Sequence, residues 1–509
     1  MDSLLPSTLI FICVIVPLIS NLVLKHRIAS KNLRLPPGPR PLPIVGNLHC
    51  LIGSLPHHAI RGLSQQYGPL LLLQLGESQT IIASSIEAST EILKTHEINF
   101  LSRPVSPTIS ILGAGGKGIA FSSYGEYWRY VRKICVVELL SNKRVLSFRS
   151  IREEEVNKLV QNISSSASCN QLINLKEAFT MLVNDITVRT VIGSKCKDPH
   201  VFLKELDKMV ELAAGFSLVD LYPSSRLARL ISRGLDDAKK CHETVSRFLD
   251  GIIEEKREKK DTGGDVISED LLSVLLRIEE EDTGQIPFDI NSVKILIMDM
   301  IGGGSEPSPS TLEWAMSELI RNHRVMRKAQ SEVRELLRGC TKISESDLVK
   351  LKYMHLVIKE TLRLHPPFPL LVPRQCRETC CILDYDIPKG TTVLVNAWAI
   401  GRDPNYWEDP EEFKPERFTN SSVDFKGSDF QFLPFGYGRR MCPGMSFGLA
   451  NLELALVALL YHFDWKLPSN VEPEDVDMTE VFGISLRKKT PLCLHAVRRE
   501  PDAFIDCSG

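Results

Sequence analysis

The chain contains a ten-residue stretch, residues 435–444, that reads Phe435-Gly436-Tyr437-Gly438-Arg439-Arg440-Met441-Cys442-Pro443-Gly444. An apolar run with helical periodicity follows it over residues 445–463. A cysteine at a helix start faces free backbone N–H groups and the positive end of the helix dipole, which favour its thiolate. The glycines let the backbone approach a flat ligand, and the two arginines offer cations to acidic groups on that ligand. The stretch therefore predicts a cysteine thiolate presented to a bound planar group.

A lone cysteine is more commonly a buried structural residue, which is the alternative here. However, the stretch matches Phe-x-x-Gly-x-Arg-x-Cys-x-Gly at every fixed position. This is the haem-binding signature of the cytochrome P-450 family, and the sequence resembles that family, in particular its plant A-type microsomal members. The resemblance implies that Cys442 ligates the iron of haem b, iron protoporphyrin IX, and that Phe435, Arg440 and Gly444 lie against the cofactor.

Composition excludes other classes of function. Among 509 residues the formal net charge is −2, so no nucleic-acid partner is expected. Thirteen cysteines follow no paired framework or zinc spacing, which favours a reducing compartment. Neither a long linker nor an internal repeat divides the body. We therefore interpret residues 44–509 as one catalytic domain.

The N-terminal 24 residues predict a membrane anchor. Residues 4–24 contain no charged side chain, and about twenty such residues cross a bilayer as a helix. Lys25, Arg27 and Lys31 follow at once, which predicts a cytosolic body. A cleaved signal peptide is the alternative, but its leading positive charges and small-residue cleavage site are missing. We predict a single-pass protein of the endoplasmic reticulum membrane.

The segment 25–43 is basic and then proline-rich, and it links the anchor to the body. Closely spaced prolines stiffen the chain as polyproline II, so we interpret the segment as a rigid hinge. A PxxP ligand for another protein module is the alternative. Further on, Gly-x-Gly-x-x-Gly at residues 113–118 lacks the flanking strand and helix of a dinucleotide site, and we predict a loop.

Other cofactor contacts are expected from two further stretches. Trp128 and Arg132 are four residues apart in a helical pattern and share one face, which suits a carboxylate. By resemblance, this pair and Arg374 meet the haem propionates. Residues 370–374 are predicted as a short strand, in which the resemblance directs Leu370 and Val372 to the substrate.

The run from Asp289 to Ala315 predicts a long helix, with Asp289 as its cap. Three glycines and two prolines interrupt it, which marks a candidate functional site. It resembles the family's helix over the haem, where a threonine hydroxyl helps proton delivery. Pro307 stands at that threonine's position, so we predict that Glu306, with water and either Ser305 or Ser308, takes over proton delivery, with Gly303 in the pocket. Tolerated drift is the alternative.

A structural network and a last substrate contact complete the predicted site. Glu360 and Arg363 are three residues apart on a predicted helix and can pair. The resemblance adds Arg417 to this network and places Phe482, in a C-terminal hairpin, at the substrate.

The resemblance implies a mainly α fold with a small β region, preceded by the transmembrane helix. It also implies a monooxygenase that uses dioxygen and electrons from NADPH, delivered by NADPH–cytochrome P-450 reductase. The expected substrate is a small lipophilic plant metabolite, with a terpenoid favoured. Desaturation, coupling or rearrangement of an alkaloid or phenylpropanoid is the alternative, since Pro307 weakens simple hydroxylation. A non-enzymatic haem sensor is the remaining alternative.

Overall fold

The structure is a computed structural model that describes residues 33–194, 199–213, 217–261, 269–281, 286–340, 342–481, 483 and 485–499. Within these ranges the chain is mainly helical with short strands, as the sequence predicts. The predicted anchor, residues 1–24, lies outside the described residues.

The described α-helices are, in chain order, α1 (Pro56–Tyr67), α2 (Ile86–Thr90), α3 (Pro107–Leu112), α4 (Glu126–Lys133), α5 (Asn142–Ser147), α6 (Arg149–Ser168), α7 (Leu175–Ile192), α8 (Pro199–Ala213), α9 (Leu218–Leu221), α10 (Arg226–Ile231), α11 (Gly234–Asp261), α12 (Leu271–Glu280), α13 (Ile290–Ser305), α14 (Pro307–Arg321), α15 (His323–Leu336), α16 (Glu345–Leu348), α17 (Lys352–Leu364), α18 (Ala397–Ile400) and α19 (Met445–His462).

The described strands are β1 (Leu70–Leu75), β2 (Ser78–Ala83), β3 (Ile173–Asn174), β4 (Arg374–Gln375), β5 (Cys380–Ile382), β6 (Tyr385–Ile387), β7 (Thr392–Val395), β8 (Phe463–Lys466), β9 (Glu480–Val481), β10 (Arg487–Lys488) and β11 (Cys493–Arg498). One sheet has the order β1-β2-β7-β4, in which β1 and β2 form an antiparallel hairpin and β2 runs parallel to β7. The other pairings are short and antiparallel.

Helix α7 connects the two main apolar clusters of the described body. Its first half, including Phe179, packs with α14 and α19, whereas its second half, including Val191, packs with α12 and α13. The Asn174 side chain accepts the Glu177 N–H and caps the start of the helix, and Gly193, with a φ of 76°, ends it. Helix α7 therefore fixes the positions of α13 and α19, which border the site.

Helix α19 is apolar enough and long enough to cross a membrane, and it is the one helix of the described ranges with both properties. However, 61% of it is buried, and it packs against α6, α14 and α15. A helix that is apolar on all sides is expected in the interior of a large body. We therefore interpret α19 as a core helix.

The described part of the predicted hinge lies against the first sheet. The carbonyl oxygen of Pro37 accepts the Leu72 N–H at 2.9 Å, and the Arg34 N–H donates to the Asp386 carboxylate at 2.8 Å. A side chain at Gly38 would collide with the Leu72 carbonyl oxygen. The extended path that the prolines impose is thus attached to the body from residue 34 onward.

Candidate active site

Cys442 lies in a tight loop that leads directly into α19. Its N–H donates to the Phe435 carbonyl oxygen at 2.9 Å, which closes the loop. Gly436 and Gly438 have φ values of 71° and 69°, a region that residues with side chains avoid. The two glycines are therefore required by the path that the backbone takes before the cysteine.

The Cys442 side chain is accessible from an internal cavity of about 600 Å³. Burial raises the pKa of its thiol, whereas the Gly444 N–H and the Arg132 guanidinium act to lower it. A coordinated cation deprotonates a thiol outright. The sulfur is thus placed as a metal ligand on one side of the cavity, with Phe435 and Gly444 beside it in the wall.

The cavity lies between the Cys442 loop and the helix pair α13 and α14. Apolar side chains form much of the opposite wall, among them Ile109, Phe121, Val210, Met298, Phe368 and Leu371. A concave, mostly apolar wall with few polar groups suits a small lipophilic molecule.

Four guanidinium groups border the cavity: Arg103, Arg132, Arg374 and Arg440. Arg440 donates hydrogen bonds of 2.6–3.3 Å to three backbone carbonyl oxygens. These belong to loop residues that lie more than 300 positions earlier in the chain. Arg374 donates to the Tyr437 carbonyl oxygen at 2.9 Å, and its Nη1 is buried without a hydrogen-bond partner among the described residues. The cluster therefore retains unused donors at the cavity.

Burial and mutual repulsion act on this arginine cluster. Burial, together with the charges of Arg374 and Arg132, lowers the pKa of Arg440 to about 9. Burial lowers the pKa of Arg374 to about 10 and that of Arg103 well below its usual value. Clustered buried cations destabilise one another unless an anion is present. The cluster is therefore suited to an acidic ligand.

These features fit the haem that the signature implies. Cys442 offers a thiolate for the iron, and the buried Nη1 of Arg374, which has no hydrogen-bond partner, lies in a cationic wall suited to two propionates. Arg103 was missed by the sequence analysis. Residues 101–104 carry no spacing signal, and only the fold brings Arg103 to Arg374 and Arg440.

Trp128 and Arg132 share one face of α4 and both border the cavity, as predicted. However, the Trp128 indole N–H donates to the Ile119 carbonyl oxygen at 3.2 Å, and the Arg440 guanidinium lies 4.1 Å from its ring centroid. The Trp128 N–H therefore has a backbone partner, and contact between this residue and a propionate stays a prediction. The indole ring contacts the Arg440 guanidinium through a cation–π interaction.

Helices α13 and α14 lie end to end and are separated only at Glu306. Pro307 lacks an N–H, so it cannot donate to the carbonyl of Gly303 as a helix residue normally would. A side chain at Gly302 or Gly303 would meet no atom within 4 Å, so the cavity reaches the backbone here. Gly303 borders the cavity, as predicted.

The Glu306 carboxylate borders the cavity but is held by the hairpin of β9 and β10. Arg487 forms a bidentate ion pair with it, and the Ser485 hydroxyl donates to it. Arg487 also reaches Asp207 on α8 at 3.5 Å. The Ser305 hydroxyl oxygen is buried without a partner among the described residues. No local pattern points to Arg487, because its contact with Glu306 joins residues that are 181 positions apart.

The predicted strand over residues 370–374 is wrong except at its end, where β4 begins. Leu371 has a φ of 51°, and this turn brings Leu371 to the cavity. Leu370 instead packs against the apolar cluster of α1, β1 and β2, so it is not a pocket residue. Val372 lines the cavity, as predicted. Phe482 lies outside the described residues.

The structure brings Glu360, Arg363 and Arg417 together in the interior. Arg363 donates to both Glu360 oxygens at 2.8 Å, and Arg417 donates to one of them at 2.9 Å. Arg363 also donates to the carbonyl oxygen of Gly401 at 2.6 Å. The network therefore ties α17 to the chain that precedes the Cys442 loop.

Asp299 on α13 is a half-buried carboxylate at the cavity that the sequence analysis missed. Its Oδ2 accepts the N–H groups of Ile119 at 2.6 Å and Ala120 at 3.2 Å. Burial raises the pKa of Asp299 to about 6, although both N–H groups act to lower it. The Gly-x-Gly-x-x-Gly stretch at residues 113–118 is a loop, as predicted, and Asp299 holds its end against α13.

Replacing Asp299 with asparagine should flatten the pH dependence of thermal stability. Because the folded-state pKa lies above the usual 3.8, the folded protein binds this proton more tightly than the unfolded chain. Its contribution to stability is therefore largest at low pH and is lost as the pH rises through about 6. The measurement is the difference in Tm between about pH 5 and about pH 7.5, which should shrink in Asp299→Asn.

Asp289→Asn is the matched control on the same helix. Hydrogen bonds from Lys117 and Ser292 lower the pKa of Asp289 to about 2 despite burial, so it stays ionised throughout this range. A Tm difference that is equally large in wild type and Asp299→Asn would contradict the assignment.

Comparisons with known proteins agree with this site. A cytochrome P450 family profile matches residues 36–494. Desmethyl-deoxy-podophyllotoxin synthase of Sinopodophyllum hexandrum is 48% identical over 477 residues, which are 93% of this chain and 94% of that protein. Dolabradiene monooxygenase of Zea mays is 48% identical over 480 residues, which are 94% of this chain and 95% of that protein.

The fold comparison gives the same result. A solved zebra fish cytochrome P450 structure with abiraterone has a TM-score of 0.73 and 27% identity, and it covers 87% of this chain and 99% of that chain. Profile, relatives and fold each extend over most of the body that surrounds Cys442. The chain therefore belongs to the cytochrome P450 family of haem-thiolate oxidoreductases, and the relatives it matches include plant enzymes.

Proposed function

We propose that this cytochrome P450 is a monooxygenase that oxidises a small lipophilic plant specialised metabolite, with a terpenoid favoured. The observation that carries the proposal is the Cys442 sulfur facing a largely apolar cavity of about 600 Å³ beneath α13. The same cavity has to hold the haem and the substrate, and its largely apolar wall suits a small lipophilic substrate. The similarity to a plant enzyme named dolabradiene monooxygenase supports the same substrate class.

We further propose haem b as the cofactor. The Cys442 sulfur would bind its iron, and Arg103, Arg132, Arg374 and Arg440 would hold its propionates. Bound haem would supply dioxygen activation and one-electron chemistry. The chain's own side chains would then orient the substrate and exclude bulk water. NADPH–cytochrome P-450 reductase is the proposed electron donor, and the half-exposed Arg439 belongs to its proposed docking side.

Residues 1–24 are proposed to anchor the protein in the endoplasmic reticulum membrane, with the body in the cytosol. This proposal rests on the uncharged apolar run and the basic residues directly after it.

Expression in reductase-bearing microsomes tests the proposed function. The microsomes are given NADPH and a panel of terpenes, alkaloids and phenylpropanoids, and products are read by mass spectrometry. We expect an NADPH-dependent product that contains one added oxygen from at least one terpene. An absence of NADPH-dependent turnover on the whole panel would contradict the proposal and favour a haem sensor.

Desaturation, coupling or rearrangement is the second candidate, and the specific observation for it is Pro307 at the break between α13 and α14. The family's threonine hydroxyl is missing at this position, which weakens ordinary proton delivery. Turnover under oxygen-18 gas separates the outcomes. Hydroxylation places the label in the product, whereas the alternatives leave the product unlabelled.

Replacing Glu306 with alanine should lower the product formed per NADPH consumed by roughly tenfold or more, since a lost general acid costs about 10²–10⁴ in rate. The carboxylate borders the cavity and accepts a hydrogen bond from the Ser485 hydroxyl. This hydrogen bond is a route by which a proton reaches the carboxylate. The measurement is the ratio of product to NADPH in reconstituted enzyme.

Arg487→Met is the control, because it removes the ion pair but keeps the Glu306 carboxylate. An unchanged ratio in Glu306→Ala refutes the role in proton delivery. Equal losses in Glu306→Ala and Arg487→Met would mean that Glu306 anchors the hairpin instead.

A further inference from the structure

Helix α7 carries three buried polar side chains along its second half. Asn184, Thr187 and Thr190 follow one another at intervals of three residues and are only 6%, 1% and 2% exposed. Their side-chain oxygens have no hydrogen-bond partner among the described residues. By contrast, the Thr180 hydroxyl of the same helix donates to the Lys176 carbonyl oxygen at 2.7 Å. The missing partners are therefore a property of the second half of α7, and not of every hydroxyl on the helix.

Thr187 meets the glycine-rich end of α13. A Cβ built on Gly304 would lie 2.9 Å from Thr187 Cγ2, 3.2 Å from Thr187 Oγ1 and 3.7 Å from Phe447 Cε1. Helices α7, α13 and α19 thus converge at Gly304, where a side chain does not fit. Thr187 and Thr190 also border the cavity, so their hydroxyls lie between this junction and the candidate active site.

The other two helices add polar atoms without partners at the same junction. Ser305 is the neighbour of Gly304, and its hydroxyl oxygen is buried and unpaired within the described ranges. Asn451 is 1% exposed, and neither its Oδ1 nor its Nδ2 has a described partner. It follows Phe447 by four residues and so lies one turn further on the same face of α19. Each of the three helices that meet at Gly304 therefore carries unsatisfied polar atoms at the junction or one turn from it.

Buried polar atoms that have no protein partner are almost always bonded to ordered water. We propose that α7, the break after α13, and α19 enclose ordered water molecules, and that Thr187 is a positioning residue that links this water to the cavity for proton delivery. Its hydroxyl accepts a hydrogen bond from the enclosed water and donates one into the cavity. A proton thus passes inward and leaves Thr187 unchanged, and bulk solvent returns the proton that the enclosed water has given up. This inference rests on the proposed monooxygenase function.

Pro307 explains why such water is needed here. The proline removes the hydroxyl that the family carries at this position, and it also leaves the Gly303 carbonyl without its helical donor. That carbonyl is a further acceptor for water beside Gly304. A hydroxyl from the neighbouring helix then takes the place of the one that the broken helix has lost.

Three variants and one structure test the inference. Thr187→Val keeps the shape but removes the hydroxyl, Thr187→Ser restores it, and Thr180→Val is the matched control on α7. We expect Thr187→Val to lower product per NADPH by about fivefold or more and to change the solvent deuterium isotope effect, with KM near that of wild type. Thr187→Ser should recover most of the loss, and Thr180→Val should behave as wild type.

The readout that does not depend on turnover is a high-resolution crystal structure of the haem-loaded wild type. It should show water within hydrogen-bond distance of Thr187 Oγ1 and of Ser305 or Asn451. A junction without ordered water overturns the inference. So does a Thr187→Val protein whose product per NADPH equals that of wild type. If wild type forms no product on any substrate, the proposed function fails, and the water positions still decide whether the junction is hydrated.

Discussion

Replacing Cys442 with alanine should abolish turnover, with product falling by more than about 100-fold, and should remove the thiolate-type absorption shift under carbon monoxide. Tyr437 and Met441, the other loop residues that can ligate iron, carry no thiol and cannot give this shift. Cys135, which lies just after α4, cannot substitute, because it is fully buried and does not border the cavity. The measurements are the spectrum of the reduced protein and product by mass spectrometry.

Cys169→Ala is the control, since Cys169 is exposed at the end of α6 and does not border the cavity. It should keep both the shift and turnover. A Cys442→Ala protein that still shows the thiolate-type shift would assign the iron ligand to another residue.

Replacing Glu360 with glutamine should lower the free energy of unfolding by about 3–5 kcal/mol, because breaking a buried ion pair leaves an uncompensated charge. Arg363 is fully buried, and Glu360 is the carboxylate that both Arg363 and Arg417 contact. Glutamine keeps the shape but removes the charge. Urea unfolding of the haem-loaded protein measures the change, and loss of haem absorbance is expected at lower urea than in wild type.

The exposed pair of Glu126 and Arg129 provides the control. These side chains are 3.8 Å apart and mostly solvent-exposed, and such surface pairs contribute about 0–1 kcal/mol. Glu126→Gln should therefore leave the unfolding midpoint almost unchanged. A similar midpoint for Glu360→Gln and wild type would show that the buried network does not hold the body together.

Local patterns predicted the parts of the site that local physics determines. The Cys442 loop follows from its glycines, and Asp289 caps α13 by accepting the Ser292 N–H, as its position in the sequence indicates. Spacing alone placed Trp128 and Arg132 on one face and paired Glu360 with Arg363, since residues three or four apart are neighbours on a helix.

Contacts between distant segments could not be predicted in the same way. Arg103 joins the arginine cluster, and Arg487 holds Glu306, only because the fold brings separate elements together. The wrong prediction that Leu370 borders the cavity, where Leu371 lies instead, has a different cause. A leucine with positive φ is rare, so an apolar run before Arg374 favoured a regular strand, and the turn at Leu371 reversed which leucine reaches the cavity.

The break at Pro307 connects several of these observations. It separates α13 from α14, lets the cavity reach Gly303, and lies beside the buried hydroxyls of Ser305 and Thr187. A proline within a helix normally costs about 3 kcal/mol. Its presence beside an acid and several hydroxyls is consistent with a functional site, where local rules are commonly broken.

Ligation of haem iron by the Cys442 sulfur underlies every functional proposal above. The measurement that addresses it is the absorption spectrum of the purified full-length protein, reduced under carbon monoxide. We expect the red-shifted Soret band of a thiolate-ligated haem. A Soret band at the position given by histidine-ligated haem, or no bound haem at all, would contradict the ligation.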